Sequence, residues 1–483
     1  MTAPATDPPG ATGTALTGQI RRDPAARAAA GRAARKRVPL DEHAAFAPAA
    51  DRPDPVDVIL AQETDRLPEL LPIRHGRMLA SPLAFLRATA AVMAADLAGT
   101  PSSGITAQLC GDAHLFNFGV YASPERRLVF DLNDFDETHP GPWEWDVKRL
   151  VASLALAGRA NGLKRRERAA VVLAAGRRYR EAMTEFAQMP ELEVWYARAD
   201  VDDLRERLAG RLGKERSRKL AKAGAKARTR TSLQAYRKLT ELVDGHRRIV
   251  ADPPLLVPVA DLVPDVARKH LESQIRDLLA GYRESLADDR RRLFDAFEFV
   301  DLARKVVGVG SVGTRCWILL MTGRDDEDPL LLQVKEAGPS VLAAHLPGSP
   351  SEHDSQGRRV VAGQRVMQAT SDIFLGWHAV PGFDGKTRDF YVRQLRDWKG
   401  GAAVEEMDAA GLQAYAVLCG WTLARAHARG GDRIAVAAYL GTSTRFEEAL
   451  TEFAESYATQ TERDHATFTE AVAAGRLTAQ PNI

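Results

Sequence analysis

The stretch Cys110–Leu150 reads "CGDAHLFNFGVYASPERRLVFDLNDFDETHPGPWEWDVKRL" and gathers reactive polar side chains between short apolar runs. Asp112 and Asn117 stand five positions apart, and Asp134 and Asp136 follow an apolar run. Strands and helices do not by themselves require acidic, amide and imidazole groups at such density. The stretch therefore predicts a functional site.

Length and composition predict two lobes, or about two to four domains, because 483 residues with a 45% hydrophobic share exceed one small core. The 66 basic and 64 acidic residues nearly cancel, so net charge does not require a nucleic-acid or membrane partner. Three widely separated cysteines fit a reducing cytoplasm better than a disulfide framework or a zinc site. Without an apolar leader or membrane-length apolar run, we expect a soluble, cytoplasmic protein.

Composition shifts along the chain predict four regions. Residues 1–50 are rich in Ala, Pro and Arg and predict a disordered or loosely docked arm. Residues 51–300 are mostly helical, 301–405 carry a sheet, and 406–483 return to helix. A basic run at 214–230 favours a solvated helix face over a nucleic-acid contact.

We call residues 110–137 the carboxylate segment, and the surrounding pattern predicts its setting. Two helices precede it, the second capped by Ser81, and two strands are joined by a loop at 113–125. A helix follows, in which Asp146 either caps the helix or braces the preceding loop through backbone amides. Residues 163–300 then read as almost continuous helix, interrupted by "DPPLLVPVADLVPD".

A second candidate motif is the glycine loop, residues 308–313, which satisfies G-x-G-x-x-G. A dinucleotide-binding fold would need a helix directly after these glycines, but "TRCWILLM" consists of strand formers. A glycine turn between two strands is the kind that folds over nucleotide phosphates, because glycine lets the backbone approach them closely.

The strand after this hairpin, "LLLQVKEA", places Leu330, Leu332 and Val334 on one face and Lys335 on the other. A lysine without a partner is costly to bury, so Lys335 either reaches solvent or holds an anion. The pattern leaves both interpretations open, one of a phosphate-binding lysine and one of an edge-strand lysine in water.

The carboxylate segment has the groups that phosphoryl transfer requires. Asp112 can accept the proton of an acceptor hydroxyl, and Asn117 and Asp134 can hold Mg²⁺ through hard oxygen ligands. Asp136 is close enough in sequence to join them. His114 fits better as a hydrogen-bond partner that braces the loop, since no second histidine stands at metal-ligand spacing.

These motifs carry a resemblance. "GDAHLFN" followed by "NDFDE" resembles the motif pair of aminoglycoside-phosphotransferase-type and choline-kinase-type enzymes, members of the protein-kinase-like superfamily. More closely, the chain resembles the DUF2252 family of bacterial proteins over residues 35 to 445. The match includes "RHGRMLASP", "VVGVGSVGTRCW", "LLQVKEA", "GQRVMQATSDIFLGW", "YVRQLRDWKG" and "LARAHARGGD".

The resemblance implies an α+β, protein-kinase-like fold of two lobes, a mostly helical large one and a small antiparallel-sheet one. It implies ATP and Mg²⁺ as cofactors, and a nucleotide and an unknown acceptor as partners. By this resemblance Asp112 and His114 take the catalytic places, and Asn117, Asp134 and Asp136 the metal places. The nucleotide-binding places fall to Gly308, Gly310, Ser311, Gly313 and Lys335.

The motif order implies a circular permutation. In a kinase the glycine loop and lysine precede the catalytic loop, whereas here the carboxylate segment comes first, about 200 residues before Lys335. The helix "YAVLCGWTLARAHARGG", which resembles the one that leads into a catalytic loop, stands near the C-terminus. A kinase fold opened just before the catalytic loop would bring both halves to one cleft.

Two positions depart from the kinase pattern. Cys110 stands before Gly111 where kinases commonly carry histidine or arginine. The helix "RRVVAGQRVMQAT" has no glutamate to pair with the lysine, and the nearby substitutes are Glu336, Glu352 and Gln364.

The sequence therefore predicts an ATP- and Mg²⁺-dependent phosphotransferase acting on a small-molecule or protein hydroxyl. Two alternatives are a nucleotide-binding regulator without turnover and a nucleotidyltransferase that transfers AMP with the same residues. A metal-dependent phosphohydrolase ranks last, because the chain lacks the further histidine and aspartate ligands.

Overall fold

The computed structural model is a mixed arrangement of helices and antiparallel sheets. It describes residues 23–208, 214–243, 245–262, 265–346, 353–381, 385–395 and 397–481.

The helices are, in chain order, α1 (Pro24–Arg37), α2 (Pro55–Glu63), α3 (Leu71–Leu79), α4 (Pro82–Ala88), α5 (Ala90–Ala98), α6 (Glu144–Ala160), α7 (Arg165–Gln188), α8 (Glu191–Tyr196), α9 (Val201–Leu208), α10 (Lys214–Arg228), α11 (Ser232–Leu239), α12 (Val259–Leu262), α13 (Asp265–Glu284), α14 (Asp288–Phe294), α15 (Gln356–Met367), α16 (Ala409–Gly430), α17 (Arg433–Leu440) and α18 (Arg445–Ala473). The strands are β1 (Thr106–Leu109), β2 (Phe118–Ala122), β3 (Leu128–Leu132), β4 (His139–Pro142), β5 (Ala199–Asp200), β6 (Thr240–Val243), β7 (His246–Ile249), β8 (Leu256–Pro258), β9 (Glu298–Lys305), β10 (Cys316–Thr322), β11 (Pro329–Ala337), β12 (Gly376–Pro381) and β13 (Thr387–Gln394).

A six-stranded antiparallel sheet, in the order β12-β13-β11-β10-β9-β8, carries the glycine loop between β9 and β10. Both faces of this sheet are buried. Leu332 and Val334 of β11 lie in one apolar cluster with Tyr282 of α13, and Leu331 lies in another with Tyr236 of α11. The alternation predicted for this strand is confirmed.

The largest apolar core lies among the helices. α7 and α16 pack along each other, and α6 and α18 lie against α7. The ring of Trp143, just before α6, stacks on Tyr179 of α7 with a centroid distance of 5.4 Å. This core fixes α6, which follows the carboxylate segment directly.

Short strands position the carboxylate segment. β1 pairs with β4, and β2 pairs with β3, both in antiparallel register. The predicted loop at 113–125 therefore contains a strand, because the apolar residues of β2 find partners on β3, such as Phe118 opposite Leu132. The β1–β4 pair therefore flanks the segment at both ends, and the β2–β3 pair lies within it.

The almost continuous helix predicted for 163–300 is wrong in part. β8 lies in the predicted break, but β5, β6 and β7 interrupt the remainder, and β9 begins within it. Near Gly245, whose φ is +78°, β6 and β7 form an antiparallel pair, and β8 adds to the edge of the large sheet. Tertiary strand pairing overrides the local helical pattern here.

Residues 1–50 are predicted to form a disordered or loosely docked arm, and from residue 23 onward, where the structure describes it, the arm is docked and contains α1. α1 packs against α17, with Ala34 buried and Gly31 so close to Ala435 that a Cβ would meet its carbonyl oxygen. Small residues permit this close approach. Because the arm has little apolar periodicity, its sequence pattern does not predict a packed helix. Residues 1–22 lie outside the described residues.

Upstream of the carboxylate segment, four helices, α2 to α5, replace the two predicted ones. The cap is confirmed, since Ser81 Oγ accepts a hydrogen bond from the Ala84 N–H at 3.1 Å. Cys110, Cys316 and Cys419 are buried free thiols. Within the described ranges, no helix has the length and apolarity to cross a bilayer.

Candidate active site

A cavity of about 690 Å³ lies where the carboxylate segment, the glycine loop and β11 come together. Gly313 lies outside its lining. The predicted residues that line it are Asp112, His114, Asn117, Asp134, Asp136, Gly308, Gly310, Ser311 and Lys335.

Lys335 joins the two halves. Its Nζ lies 2.6 Å from Asp136 Oδ2 and 3.4 Å from Asp134 Oδ1, and the residue is only 2% exposed. Burial opposes the charged ammonium, but the two carboxylates outweigh it and raise the pKa of Lys335 well above its usual value. Of the two interpretations the sequence left open, the lysine in water is excluded, because Lys335 is buried against carboxylates.

Asp134 and Asp136 both contact Lys335, but their side chains are exposed to different degrees. Asp136 also accepts hydrogen bonds from the Tyr391 hydroxyl at 2.5 Å and from Ser311 Oγ at 3.4 Å. The Asp134 side chain is 44% exposed and that of Asp136 28%. Asp134 therefore offers the more accessible oxygen ligands.

The pKa of Asp134 is set by its cationic surroundings. Burial alone would raise it, but the positive charges of Lys335, Arg393 and Lys399 together bring it well below its usual value. The carboxylate is thus ionised over the whole physiological range, as a metal ligand must be.

Asp112 is held by a guanidinium from α6. Arg149 Nε and Nη2 lie 2.9 and 2.8 Å from Asp112 Oδ1, while His114 Nε2 lies 3.6 Å from Oδ2. Burial is the main reason that the pKa of His114 falls to about 4, so its ring is neutral at physiological pH. Asp112 keeps a 23% exposed side chain toward the cavity.

The amide of Asn117 braces the backbone. Its Oδ1 accepts the N–H of Asp134 at 2.6 Å and that of Asn133 at 3.2 Å. Its Nδ2 donates to the carbonyl oxygens of Asp134 and Asp112 at 2.9 and 3.1 Å. The predicted role of Asn117 as a metal ligand stays a prediction, and this geometry favours a bracing role.

Asp146 braces the start of the segment, which is the second of its two predicted roles. Its carboxylate accepts the N–H of Cys110 at 2.7 Å and that of Gly111 at 3.0 Å. His427 of α16 contacts the same carboxylate through Nε2 at 3.2 Å. Asp146 is buried, so the loop is fastened from inside the helical core.

Close packing explains why cysteine and glycine occupy the two positions before Asp112. Gly111 has φ +84°, and a Cβ there would lie 2.1 Å from the carbonyl oxygen of Glu137. Cys110 is buried, its pKa is raised well above the usual value mainly by that burial, and its thiol donates to the Asp134 carbonyl at 3.3 Å. A protonated thiol therefore braces the loop at this departure from the kinase pattern.

The glycine loop is held by its carbonyl groups. Every backbone carbonyl from Val307 to Gly313 accepts a hydrogen bond. The donors are the guanidinium groups of Arg66, Arg74 and Arg77 and the backbone N–H groups of Leu67, Ser311 and Thr314. The loop cannot turn these oxygens toward a phosphate without breaking those bonds.

Arg74 is the central anchor of the glycine loop. Its Nη1 donates to the carbonyls of Val309 and Gly310 at 2.9 and 3.0 Å, and its Nε lies 3.2 Å from Glu63 Oε1. The side chain is completely buried. The sequence does not reveal this clamp, although Arg74 and Arg77 stand three apart, the spacing of one helix face.

The substitutes for a helix glutamate do not contact Lys335. Glu336 pairs with Arg315 and Arg388 instead, and Gln364 donates to Gln368 at 2.8 Å. Glu352 lies outside the described residues. The close partner of Lys335 is Asp136.

α15 contributes a guanidinium to the site in place of a carboxylate. Arg359 donates to the carbonyl oxygens of Asp136, Thr138 and Gly338. It thereby ties the end of the carboxylate segment to the end of β11.

Three further cavity residues were not predicted from the sequence. Arg393 donates to the Asn133 carbonyl at 2.8 Å. Arg393, followed by burial, lowers the pKa of Lys399 to about 7, while burial raises the pKa of Glu137 to about 7. Arg393 lies on β13, Lys399 follows that strand and Glu137 lies in the turn before β4, so the tertiary fold brings these three residues to the cavity.

The basic run at 214–230 is only partly described. Arg228 pairs with Asp202 at 2.6 Å, and Arg230 lines the cavity while donating to the Lys399 carbonyl at 3.1 Å. At least one residue of this run therefore belongs to the candidate active site.

The donor set fits a hard divalent cation that is shared with a ligand. Across the described ranges, no cluster of three or more His, Cys, Asp and Glu groups could hold a metal alone. Asp134 and Asp136 supply two carboxylates, and Mg²⁺ is often bound by one or two carboxylates, several waters and substrate phosphates.

Comparison with curated proteins and with solved structures gave no match. The family model of DUF2252, described as "Uncharacterized protein conserved in bacteria", matches residues 66–471. The matched span begins at Arg66, which holds the glycine loop, and includes both halves of the cavity. The chain belongs to the DUF2252 family.

Proposed function

We propose that this protein is an ATP- and Mg²⁺-dependent phosphotransferase that acts on the hydroxyl group of a small molecule or protein. The carrying observation is the 2.6 Å contact between Lys335, on the strand after the glycine loop, and Asp136 of the carboxylate segment. It brings a phosphate-binding type of loop and a carboxylate pair to the cavity that Asp112 also lines.

The nucleotide phosphates would lie between the glycine loop and Lys335. All carbonyl oxygens of this loop are held by other donors, which removes the backbone groups that would repel an anion. Lys335 carries a firmly held positive charge at the same place. When bound, Mg²⁺ would supply charge neutralisation at the phosphates, with Asp134 and Asp136 as its protein ligands.

The acceptor hydroxyl would lie beside Asp112. Arg149 fixes the Asp112 carboxylate, and the partly exposed oxygens can accept the hydroxyl proton as transfer proceeds. Neutral His114 adds no second positive charge to the pair of Asp112 and Arg149. Asp112 is thus the proposed catalytic base.

A permuted kinase-like arrangement agrees with the element order. β9, the glycine loop, β10, β11 with Lys335, α15, β12 and β13 follow the order of a small kinase lobe, and α16 follows as the first long helix after it. The carboxylate segment then supplies, from the N-terminal side, the part that would come next in a kinase. This relationship is part of the proposal.

The test is nucleotide consumption with a pool of hydroxyl-bearing metabolites and proteins, followed by ³¹P NMR and mass spectrometry of the products. We expect ADP and a phosphorylated acceptor to form with the wild type and Mg²⁺, and neither with Asp112→Asn. The control variant Asp203→Asn makes the same chemical change at an exposed carboxylate outside the cavity.

Product identity separates the alternatives. AMP attached to the acceptor would replace this proposal with nucleotidyl transfer. Nucleotide binding without turnover under any acceptor would favour a regulator. Loss of ATP that is unaffected by Asp112→Asn would contradict the catalytic role of Asp112.

A further inference from the structure

We propose that Arg87 forms an anion-binding position beside Asp112, and that the acceptor therefore carries a carboxylate or phosphate group in addition to its hydroxyl. This inference rests on the proposed function, because it assigns the Asp112 side of the cavity to the acceptor. It names the class of substrate, which the phosphotransfer chemistry leaves open.

Arg87 stands at the end of α4 and lines the cavity together with Asp112, His114 and Phe116. Its guanidinium carbon lies 4.5 Å from the centre of the Phe116 ring. Stacking on an aromatic face leaves the N–H edge of a guanidinium available for two parallel hydrogen bonds to a carboxylate or phosphate.

Arg87 forms no hydrogen bond and no ion pair with another residue in the described part of the chain. The carboxylates of Asp112 and Glu405 lie within its electrostatic range, and Asp112 is already paired with Arg149 at 2.8 Å. Because the Nε of Arg87 is buried, an anion in the cavity would meet the Nη edge of the guanidinium. A half-buried charge without a close partner is costly, so a bound anion would satisfy a group that the fold leaves without a hydrogen-bonded partner.

Its position favours the acceptor over the nucleotide as the source of the anion. The Arg87 side chain stacks against Phe116 of the carboxylate segment, four residues after Asp112. In the proposed arrangement, Lys335 and the glycine loop bind the nucleotide phosphates. An acceptor with its hydroxyl at Asp112 would place a neighbouring anionic group against Arg87.

The test measures anion binding to the full chain by calorimetry. Inorganic phosphate and acetate are the probes, titrated with the protein alone and with the protein saturated with Mg²⁺ and a non-hydrolysable ATP analogue. The variants are Arg87→Gln, Arg87→Lys and the control Arg324→Gln, which removes an exposed arginine outside the cavity. Circular dichroism and thermal denaturation check that each variant is folded.

We expect at least one probe to bind the analogue-saturated wild type, with affinity reduced about tenfold by Arg87→Gln, partly restored by Arg87→Lys and kept by Arg324→Gln. Which probe binds decides between carboxylate and phosphate. The protein could also fail to bind the ATP analogue and still bind an anion in an Arg87-dependent manner. That result would contradict the phosphotransferase proposal but support the anion-binding position.

Two results would overturn the inference. The first is anion binding that is absent or insensitive to Arg87→Gln. The second is a loss of ATP-analogue affinity in Arg87→Gln, with no loss of ADP affinity and no anion binding beside the bound analogue. That pattern would assign Arg87 to the terminal phosphate of the nucleotide.

Discussion

The carboxylate segment and the glycine loop face the same cavity, yet their backbones are anchored differently. In the carboxylate segment, Asp146 and Asn117 accept hydrogen bonds from backbone N–H groups, while the Asn117 amide and two arginines donate to backbone carbonyls. In the glycine loop, the side-chain anchors are the guanidiniums of Arg66, Arg74 and Arg77, which all donate to backbone carbonyls. The glycine-loop anchors therefore tie back the carbonyl groups that would repel the anion proposed for that side, whereas the anchors of the carboxylate segment fix both kinds of backbone group.

The difference suggests that neither half is a complete site. The carboxylate segment presents oxygen ligands and a base, while the glycine loop and Lys335 present an anion-binding surface. Within the described residues, the side chains of the two halves contact each other directly in one cluster, formed by Asp134, Asp136, Ser311 and Lys335. The predictions below separate the contributions of the two halves, from the largest effect to the smallest.

Removing the proposed base should give the largest effect and leave the glycine-loop side intact. Asp112→Asn is expected to lower the rate of phosphoryl transfer about a thousandfold, because the amide cannot accept the hydroxyl proton. Mg²⁺-dependent ATP binding should persist, since Lys335 and Asp134 are untouched. Steady-state kinetics and calorimetry measure the two quantities. Equal losses in rate and nucleotide affinity would contradict the division of roles.

Removing Arg74, the central anchor of the glycine loop, should lower the stability of the fold. Arg74→Met leaves the buried Glu63 without its guanidinium partner and frees two loop carbonyls, so we expect a loss of about 3–5 kcal/mol in the free energy of unfolding. Urea denaturation measures it. The control Arg77→Met removes one arginine from the same helix and should cost clearly less. Equal stability of Arg74→Met and wild type would refute the clamp.

The pKa of Glu137 predicts a pH dependence that belongs to the carboxylate segment. Burial raises this pKa from 4.5 to about 7, so between these pH values the unfolded chain loses its proton first and stability falls as pH rises. Glu137→Gln should remove roughly 1–3 kcal/mol of that fall. Urea denaturation at pH 5 and pH 8 tests it, with exposed Glu241→Gln as control. The same pH dependence in Glu137→Gln and wild type would argue against this assignment.

The smallest effect concerns Lys399, whose pKa is lowered from 10.5 to about 7 by Arg393 and by burial. Lys399 is therefore partly neutral near pH 8, and phosphates bound nearby should restore its charge. ATP binding is expected to take up a fraction of a proton between pH 7 and 9. Calorimetry in buffers of different ionisation enthalpy measures this uptake, which Lys399→Met should abolish and exposed Lys226→Met should retain. Unchanged uptake in Lys399→Met would rule out its origin at Lys399.

The sequence predicts those parts of the site that depend on local pattern. Strand alternation placed Lys335 opposite Leu332 and Val334, and the strand formers after the glycine loop predicted a hairpin. The bracing role of Asp146 was one of two roles open to an acidic residue near a helix start. These features follow from a few neighbouring residues.

The remaining parts depend on contacts that no local pattern specifies. Arg74 holds Val309 from 235 positions away, and Tyr391 reaches Asp136 across 255. The spacing of Arg74 and Arg77 indicates a shared helix face but not the carbonyls that this face meets. The role of Asn117 also depends on the fold. Its side-chain oxygen can bind either a cation or a backbone N–H group, and the fold decides which of the two lies nearer.

The most direct test of the central claim, that the two halves form one nucleotide site, is thermal denaturation of the full chain with ATP, ADP or GTP, each with and without Mg²⁺. We predict that ATP raises the Tm of the wild type by several degrees, more with Mg²⁺ than without. Asp134→Asn should remove the Mg²⁺-dependent part, and Lys335→Met most of the whole shift. A wild-type Tm that no nucleotide raises in a Mg²⁺-dependent manner would contradict the claim.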